Sequence, residues 1–256
     1  VIVTDHHDVP FDEVNGVKEY RVPPADAVVN PKQEDCQYPF RLLCGAGVAY
    51  KLISLIYERL RLDTKDMEEY REFMAIATVG DIVDLIDENR VVVKYGLKHI
   101  AHTVNTGLKA LVEECGVDIN NISSYHIGFV IGPCLNASGR LDTARKAIEL
   151  MLCKNTEEAH NMARELITLN TERKQMTEDE TAKAIELVEK NDMLKDRVLV
   201  IYLPDCHESI AGIIAGRIKE RYYRPTFVIT NAEEGAKGSG LSLIHISEPT
   251  RHSLIS

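Results

Sequence analysis

Val1-Ile2-Val3-Thr4-Asp5-His6-His7 opens the chain: an apolar, β-branched run that stops on a carboxylate and two adjacent imidazoles. β-Branched residues favour extended backbone, and ligands of open α/β sheets gather just beyond the carboxyl ends of strands. One acid and two histidines supply hard oxygen and borderline nitrogen donors, a mixture suited to divalent transition metals such as Mn²⁺. A triplet of this kind also arises by chance. What decides its meaning is the company it keeps further along the chain.

Working outward, a loop rich in acids and proline leads to a second short apolar segment, Ala27–Val29, ending at Asn30-Pro31. Apolar positions recur at helical spacing from Gly45 to Leu60 (Val48, Leu52, Leu55, Ile56) and again over Met67–Val79. The second of these helices runs into Gly80-Asp81-Ile82-Val83-Asp84, where glycine is expected to turn the chain and place Asp81 at the exit. Helical patterns continue through Val91–His102, Thr106–Cys115, Tyr125–Ile131 and Thr143–Leu152. Residues 156–190 hold strong helix formers with charge on most faces and neither glycine nor proline, which predicts one long helix or two joined at Asn170. Beyond it the period changes to a strand over Val198–Leu203, a helix over Ser209–Tyr222 and a strand over Thr226–Thr230, a β-α-β unit opening a smaller α/β domain.

With 256 residues and 45% hydrophobic content the chain can bury a core and has room for two domains. It contains no run of 18 apolar residues and nothing like a signal peptide, so a soluble, cytoplasmic protein without a membrane role is expected. The six cysteines (Cys36, Cys44, Cys115, Cys134, Cys153, Cys206) form no Cys-x-x-Cys pair, which argues for reduced, mostly buried thiols rather than a zinc ribbon. A net charge of −10 argues against a protein that grips nucleic acid by bulk electrostatics. It leaves room for an enzyme in which bound cations and a few arginines meet phosphates.

Four motifs then line up: Asp5-His6-His7, Val79-Gly80-Asp81-Ile82-Val83-Asp84, the block from Gly132-Pro133 through Asn136-Ala137-Ser138-Gly139-Arg140-Leu141, and His207-Glu208 followed by Gly212-Ile213-Ile214-Ala215-Gly216-Arg217. Their order and spacing resemble the DHH phosphoesterase superfamily and, within it, the bacterial single-strand-specific exonucleases. Val29-Asn30-Pro31 and Gly45-Ala46-Gly47-Val48 match as well, and the resemblance spans roughly residues 1–240. The resemblance implies a DHH-type domain with a parallel sheet and a helical part over 1–155, a connector helix over 156–194 and part of a DHHA1-type domain over 195–240. It implies a 5′→3′ exonuclease on single-stranded DNA, serving repair and recombination with Mn²⁺ or Mg²⁺, whose partners include single-strand-binding protein and a helicase. A shorter relative acting on oligoribonucleotides or cyclic dinucleotides would lack the Asn136–Leu141 block, and a non-catalytic replication scaffold would not need His6, His7 and Asp81.

On the same resemblance, His6 and Asp81 are metal ligands, Asp5 supports the site, and His7 sits near the scissile phosphate. The pair is therefore expected to converge, with the His6 ring within about 8 Å of the Asp81 carboxylate, because metal–ligand bonds near 2 Å cannot bridge more. Asp84 and Asp87 are expected to be solvated acids. Asn136 and Arg140, taken to follow a Gly-Pro turn, and Ser239 would hold substrate phosphate; Arg140 lines a cleft in the family reading and could otherwise bridge structure. His207 and Glu208 either face that cleft or serve the start of their own helix electrostatically. Leu241 stands where the family has an arginine, and residues 241–256 resemble a translated sequencing adapter, so His245 and His252 are not expected to be ligands. The family's upstream acidic motifs and downstream glycine-histidine motif are absent, and the two-metal site is accordingly expected to be incomplete.

Overall fold

The computed structural model describes residues 1–141, 143–232 and 235–243. By their contacts these form two compact units, Val1–Leu135 with Ile148–Arg164, and Asn136–Ala147 with Glu165 onward.

In the first unit, β1 (Ile2–Thr4) pairs in parallel with β4 (Ala27–Val29), in the register Ile2↔Ala27, Val3↔Val28 and Thr4↔Val29. The last rung is the Asp5 N–H donating to Val29 O at 3.0 Å. Between these strands lies a hairpin absent from the sequence reading, β2 (Phe11–Val14) against β3 (Val17–Tyr20). Its turn is Asn15-Gly16, both residues at positive φ, which matches the right-handed twist of the flanking strands. Helices α1 (Gly45–Leu60), α2 (Met67–Gly80), α3 (Asp87–Ile100) and α4 (Thr106–Glu114) follow. Phe40, Leu43, Val48 and Met74 form a buried cluster that joins the segment before α1 to α1 and α2. Asn105 caps α4 by accepting the Leu108 N–H at 2.8 Å.

The expected Gly132-Pro133 turn does not exist. The one-turn helix α5 (Ser124–His126) passes through a π turn over Ile127–Ile131 straight into α6 (Gly132–Leu141). Gly132 is helical and donates its N–H to Ile127 O, five residues back. A Cβ on Gly132 would sit 2.7 Å from that carbonyl, so glycine is what the wide turn admits. Pro133, which has no N–H to donate, sits directly after the wide turn, where the regular α-helical ladder is already displaced.

α7 (Arg145–Leu152) precedes α8, a single helix over Thr156–Lys190. Asn170 does not break it: the side chain is buried and its Oδ1 accepts from the Arg173 guanidinium at 3.0 Å. The second unit closes on a three-stranded sheet in which β5 (Leu199–Tyr202) runs parallel to β6 (Thr226–Ala232), itself antiparallel to β7 (Gly235–Leu241). Helix α9 (Glu208–Tyr222) connects β5 to β6 and buries Ile210, Ile214 and Ile218 against Leu199, Ile201 and Val228. Alternate residues of β5 point into this core, the period-2 pattern of a half-buried strand. Ala184 and Val188 of α8 complete it. Fully burying each of those isoleucines contributes roughly 2–3 kcal/mol.

Candidate metal centre

Past the end of the β1–β4 ladder, Asp5 organises the turn that follows. Its Oδ1 accepts the backbone N–H of His6 at 2.7 Å and of His7 at 3.2 Å, and pairs with His7 Nδ1 at 2.7 Å. Burial pushes the Asp5 carboxyl up, but the His7 ring and the two N–H donors outweigh it and hold the group below its ordinary value of 3.8. Nδ1 of His7 is thus held by Asp5, on a half-exposed ring. The His6 and His7 rings lie 4.2 Å apart between centroids. Ligand atoms of Asp5, His6 and His7 all fall within 4.8 Å of one another.

The His6 ring rests on the first turn of α1, its Nδ1 3.2 Å from where a Cβ on Gly45 would stand, so a larger residue there would push it. Its Nε2 lies 2.8 Å from Asp81 Oδ2, joining residues far apart in the sequence. Asp81 continues the helical path of α2, donating its N–H to Ala77 O at 2.8 Å. The chain then turns at Ile82, with φ of 55°, and not at Gly80 as the sequence suggested. A β-branched residue in left-handed conformation stores about 1–2 kcal/mol of strain, and it sits beside the carboxylate that meets His6.

Several supporting residues escaped the sequence reading. Asn30, at the end of β4, donates to His7 O at 2.9 Å. Asn89, fully buried in the first turn of α3, donates to Leu42 O at 2.7 Å and Asp84 O at 3.0 Å, tying the segment before α1 to the loop after Asp81. Its neighbour Glu88 receives the Tyr38 hydroxyl at 2.6 Å and the Lys51 ammonium at 2.8 Å. Burial raises the Glu88 carboxyl, and Lys51 with Tyr38 more than offsets that, leaving it below its ordinary value. The sequence signal for Asn30 was its place in the matching Val29-Asn30-Pro31 segment, and for Glu88 and Asn89 a polar side chain at a helix start.

The remaining expected site residues lie in the second unit. Asn136 and Arg140 occupy one exposed face of α6, four residues apart. The Arg140 guanidinium donates to Ser209 O at 2.7 Å, at the start of α9. His207 is the N-cap of α9: its Nδ1 accepts the Ser209 N–H and pairs with the Ser209 hydroxyl at 2.7 Å. Glu208 carries an ion pair to Lys237 on β7 at 2.9 Å. Ser239, on β7 opposite Val228, is buried, its Oγ 2.9 Å from where a Cβ on Gly212 would stand, so the glycine is what lets α9 approach the strand. Leu241 pairs with Thr226 at the end of the ladder, while His245 and His252 lie outside the described residues. Among the cysteines, Cys44, Cys134 and Cys206 are buried and the other three half-buried. Burial first, then Glu180, pushes the Cys206 thiol up to about 11, which keeps it unreactive.

Residues 1–78 match the model of the DHH family, N-terminal domain. Along 95% of its length the chain is similar to RecJ: it is 36% identical to the single-stranded-DNA-specific exonuclease RecJ of Escherichia coli and 37% identical to that of Bacillus subtilis. It covers 43% and 29% of those two proteins, less than half of either. Among solved structures, the Thermus thermophilus RecJ in complex with Mn²⁺ superposes with a TM-score of 0.76 at 31% identity, over 94% of this chain and 34% of that one. The mixed α/β fold expected from the motifs is the fold these RecJ structures share with this chain.

Proposed function

We propose that the first unit is the catalytic part of a metal-dependent 5′→3′ exonuclease that hydrolyses single-stranded DNA in repair and recombination. The observation that carries this reading is the 2.8 Å approach of His6 Nε2 to Asp81 Oδ2 beside Asp5 and His7. Two donors at that spacing suit neighbouring positions around one octahedral ion, whose ligands at roughly 2.1 Å lie about 3 Å from each other. His6 and Asp81 would hold Mn²⁺ or Mg²⁺, with Asp5 fixing the turn. When bound, the metal supplies an activated water and charge stabilisation for in-line displacement at phosphorus. His7, oriented through its Nδ1 by Asp5, would present Nε2 to the scissile phosphate, donating a hydrogen bond or proton there when the ring carries both protons.

Asn136, Arg140 and Ser239 hold substrate phosphate in this reading, and Arg140 brings a planar fork suited to it. His207 and Glu208 support that surface through the start of α9. The domain boundaries go with it: 1–155 for the DHH domain, 156–194 for the connector, 195–240 for part of a DHHA1-type domain and 241–256 for a non-native tail. His6 and Asp81 supply two ligands, so two-ion chemistry would draw on parts of the longer relatives that this chain does not span. Single-strand-binding protein and a helicase are the partners this work would call for, in the cytoplasm. No described helix is long and apolar enough to cross a membrane.

The test is digestion of 5′-phosphorylated single-stranded DNA with Mn²⁺ by the 256-residue chain and by a version extended to the full length of its relatives. EDTA-sensitive degradation from the 5′ end by the extended protein, abolished by His6→Ala and weak in the shorter chain, supports the reading. Preference for short oligoribonucleotides or cyclic dinucleotides would move it to the shorter phosphodiesterases, and inactivity of the extended protein would favour a scaffold.

A further inference from the structure

We propose that Asn30 is a positioning residue of the metal centre, clamping the Asp5-His6-His7 turn to the end of β4; this rests on the metal reading above. The β1–β4 ladder ends at the Asp5 N–H to Val29 O bond. Past that rung the His6 and His7 N–H groups turn inward to Asp5 Oδ1, so the ladder no longer fixes their direction. Asn30 extends its hold by one side chain. Its Nδ2 donates to His7 O at 2.9 Å, 23 residues back in the sequence, while its Oδ1 accepts the Lys32 N–H at 2.9 Å.

The two ends of the amide are thus used in opposite senses, and a flipped amide would set oxygen against oxygen at His7 and donor against donor at Lys32. The group is 5% exposed, so water cannot readily stand in for either partner. A second tie, Lys32 Nζ to Asp8 Oδ1 at 2.9 Å, joins the same two loops further out, but Asp8 is exposed and the tie is flexible. Asn30 is therefore the buried link that sets where the His6 ring stands relative to Asp81. Outer groups of this kind govern metal affinity through the direction of the ligands they hold.

The experiment is a Mn²⁺ titration of the 256-residue chain, followed by the electron paramagnetic resonance signal of the free ion. Wild type, His6→Ala, Asn30→Ala and Asn30→Asp are compared, with urea unfolding of each. Wild type is expected to take up Mn²⁺ and His6→Ala to lose it, with Asn30→Ala weakened about tenfold. Asn30→Asp keeps the acceptor for Lys32 and loses the donor to His7. It is expected to bind more weakly than wild type, although its added negative charge alone would tighten a cation. If Asn30→Ala fails to fold, Asn30→Asp decides. Wild-type affinity in the Asn30 variants, with His6→Ala still defective, overturns the positioning role and leaves the metal reading standing. A wild type indistinguishable from His6→Ala removes the metal reading and this inference together.

Discussion

β1 and β5 both run into an acid and a histidine, and the two exits use similar chemistry in different ways. After β1, Asp5 turns the backbone so that His6 Nε2 meets Asp81, a carboxylate delivered by a separate helix. After β5, in Asp205-Cys206-His207-Glu208, the histidine folds back on Ser209 to cap its own helix, and Glu208 reaches Lys237 on the neighbouring strand. The imidazole of the first exit is committed to a distant acid, and that of the second to its own backbone. Residue type does not separate the two exits; the distant carboxylate that meets His6 does.

The largest expected contrast is a crossed pair of substitutions. His6→Ala is expected to remove Mn²⁺ binding and His207→Ala to leave it unchanged, read by isothermal titration calorimetry. Conversely, His207→Ala is expected to lower stability by about 1 kcal/mol through loss of an N-cap, read by the urea midpoint at constant slope. Equal Mn²⁺ losses in the two variants would erase the distinction between the exits.

A smaller effect concerns acid. Asp5 and Glu88 both sit below their ordinary values, so each contributes stability that is present above the unfolded value and lost as pH falls through the folded one. Asp5→Asn and Glu88→Gln are expected to be less stable than wild type at pH 7, the differences shrinking below about pH 4 as the carboxylates protonate. A difference that persists unchanged at pH 3 would mean the substitutions act through packing. Both groups are partly exposed, so screening keeps the effect modest.

The smallest expected effect is the Glu208–Lys237 pair, which is half-exposed at both ends. A double-mutant cycle with Glu208→Gln and Lys237→Met should return a coupling below about 1 kcal/mol that fades with salt. A large, salt-insensitive coupling would show that the second exit is more than a helix start.

Much of this was legible in the sequence because it rests on periodicity and on motifs. The period-3.6 runs gave α1 and α2, and the switch of period after residue 195 gave β5, α9 and β6. The convergence of His6 and Asp81 followed from the family motifs they match, both placed at element ends. The β2–β3 hairpin was missed because every residue of its strands is exposed, so no alternation marks it and only Asn15-Gly16 signals the turn. The π turn before α6 was misread as a break because a Gly-Pro pair has the same composition at a turn and at a helix start. The left-handed Ile82 ran against the preference for glycine, so no local rule could find it. The roles of Asn30, quoted only as part of a matching segment, and of Asn89 were hidden because a buried amide and a solvated one look alike in sequence; only the fold says which carbonyls they face.

The most direct measurement is anomalous diffraction at the manganese edge from crystals of the wild-type chain soaked in Mn²⁺. The strongest peak is expected bonded to His6 Nε2 and the Asp81 carboxylate, with none at His207 and Glu208. A map in which His6 and Asp81 remain hydrogen-bonded to each other with no metal between them, or in which the peak lies at the second exit, would contradict the account.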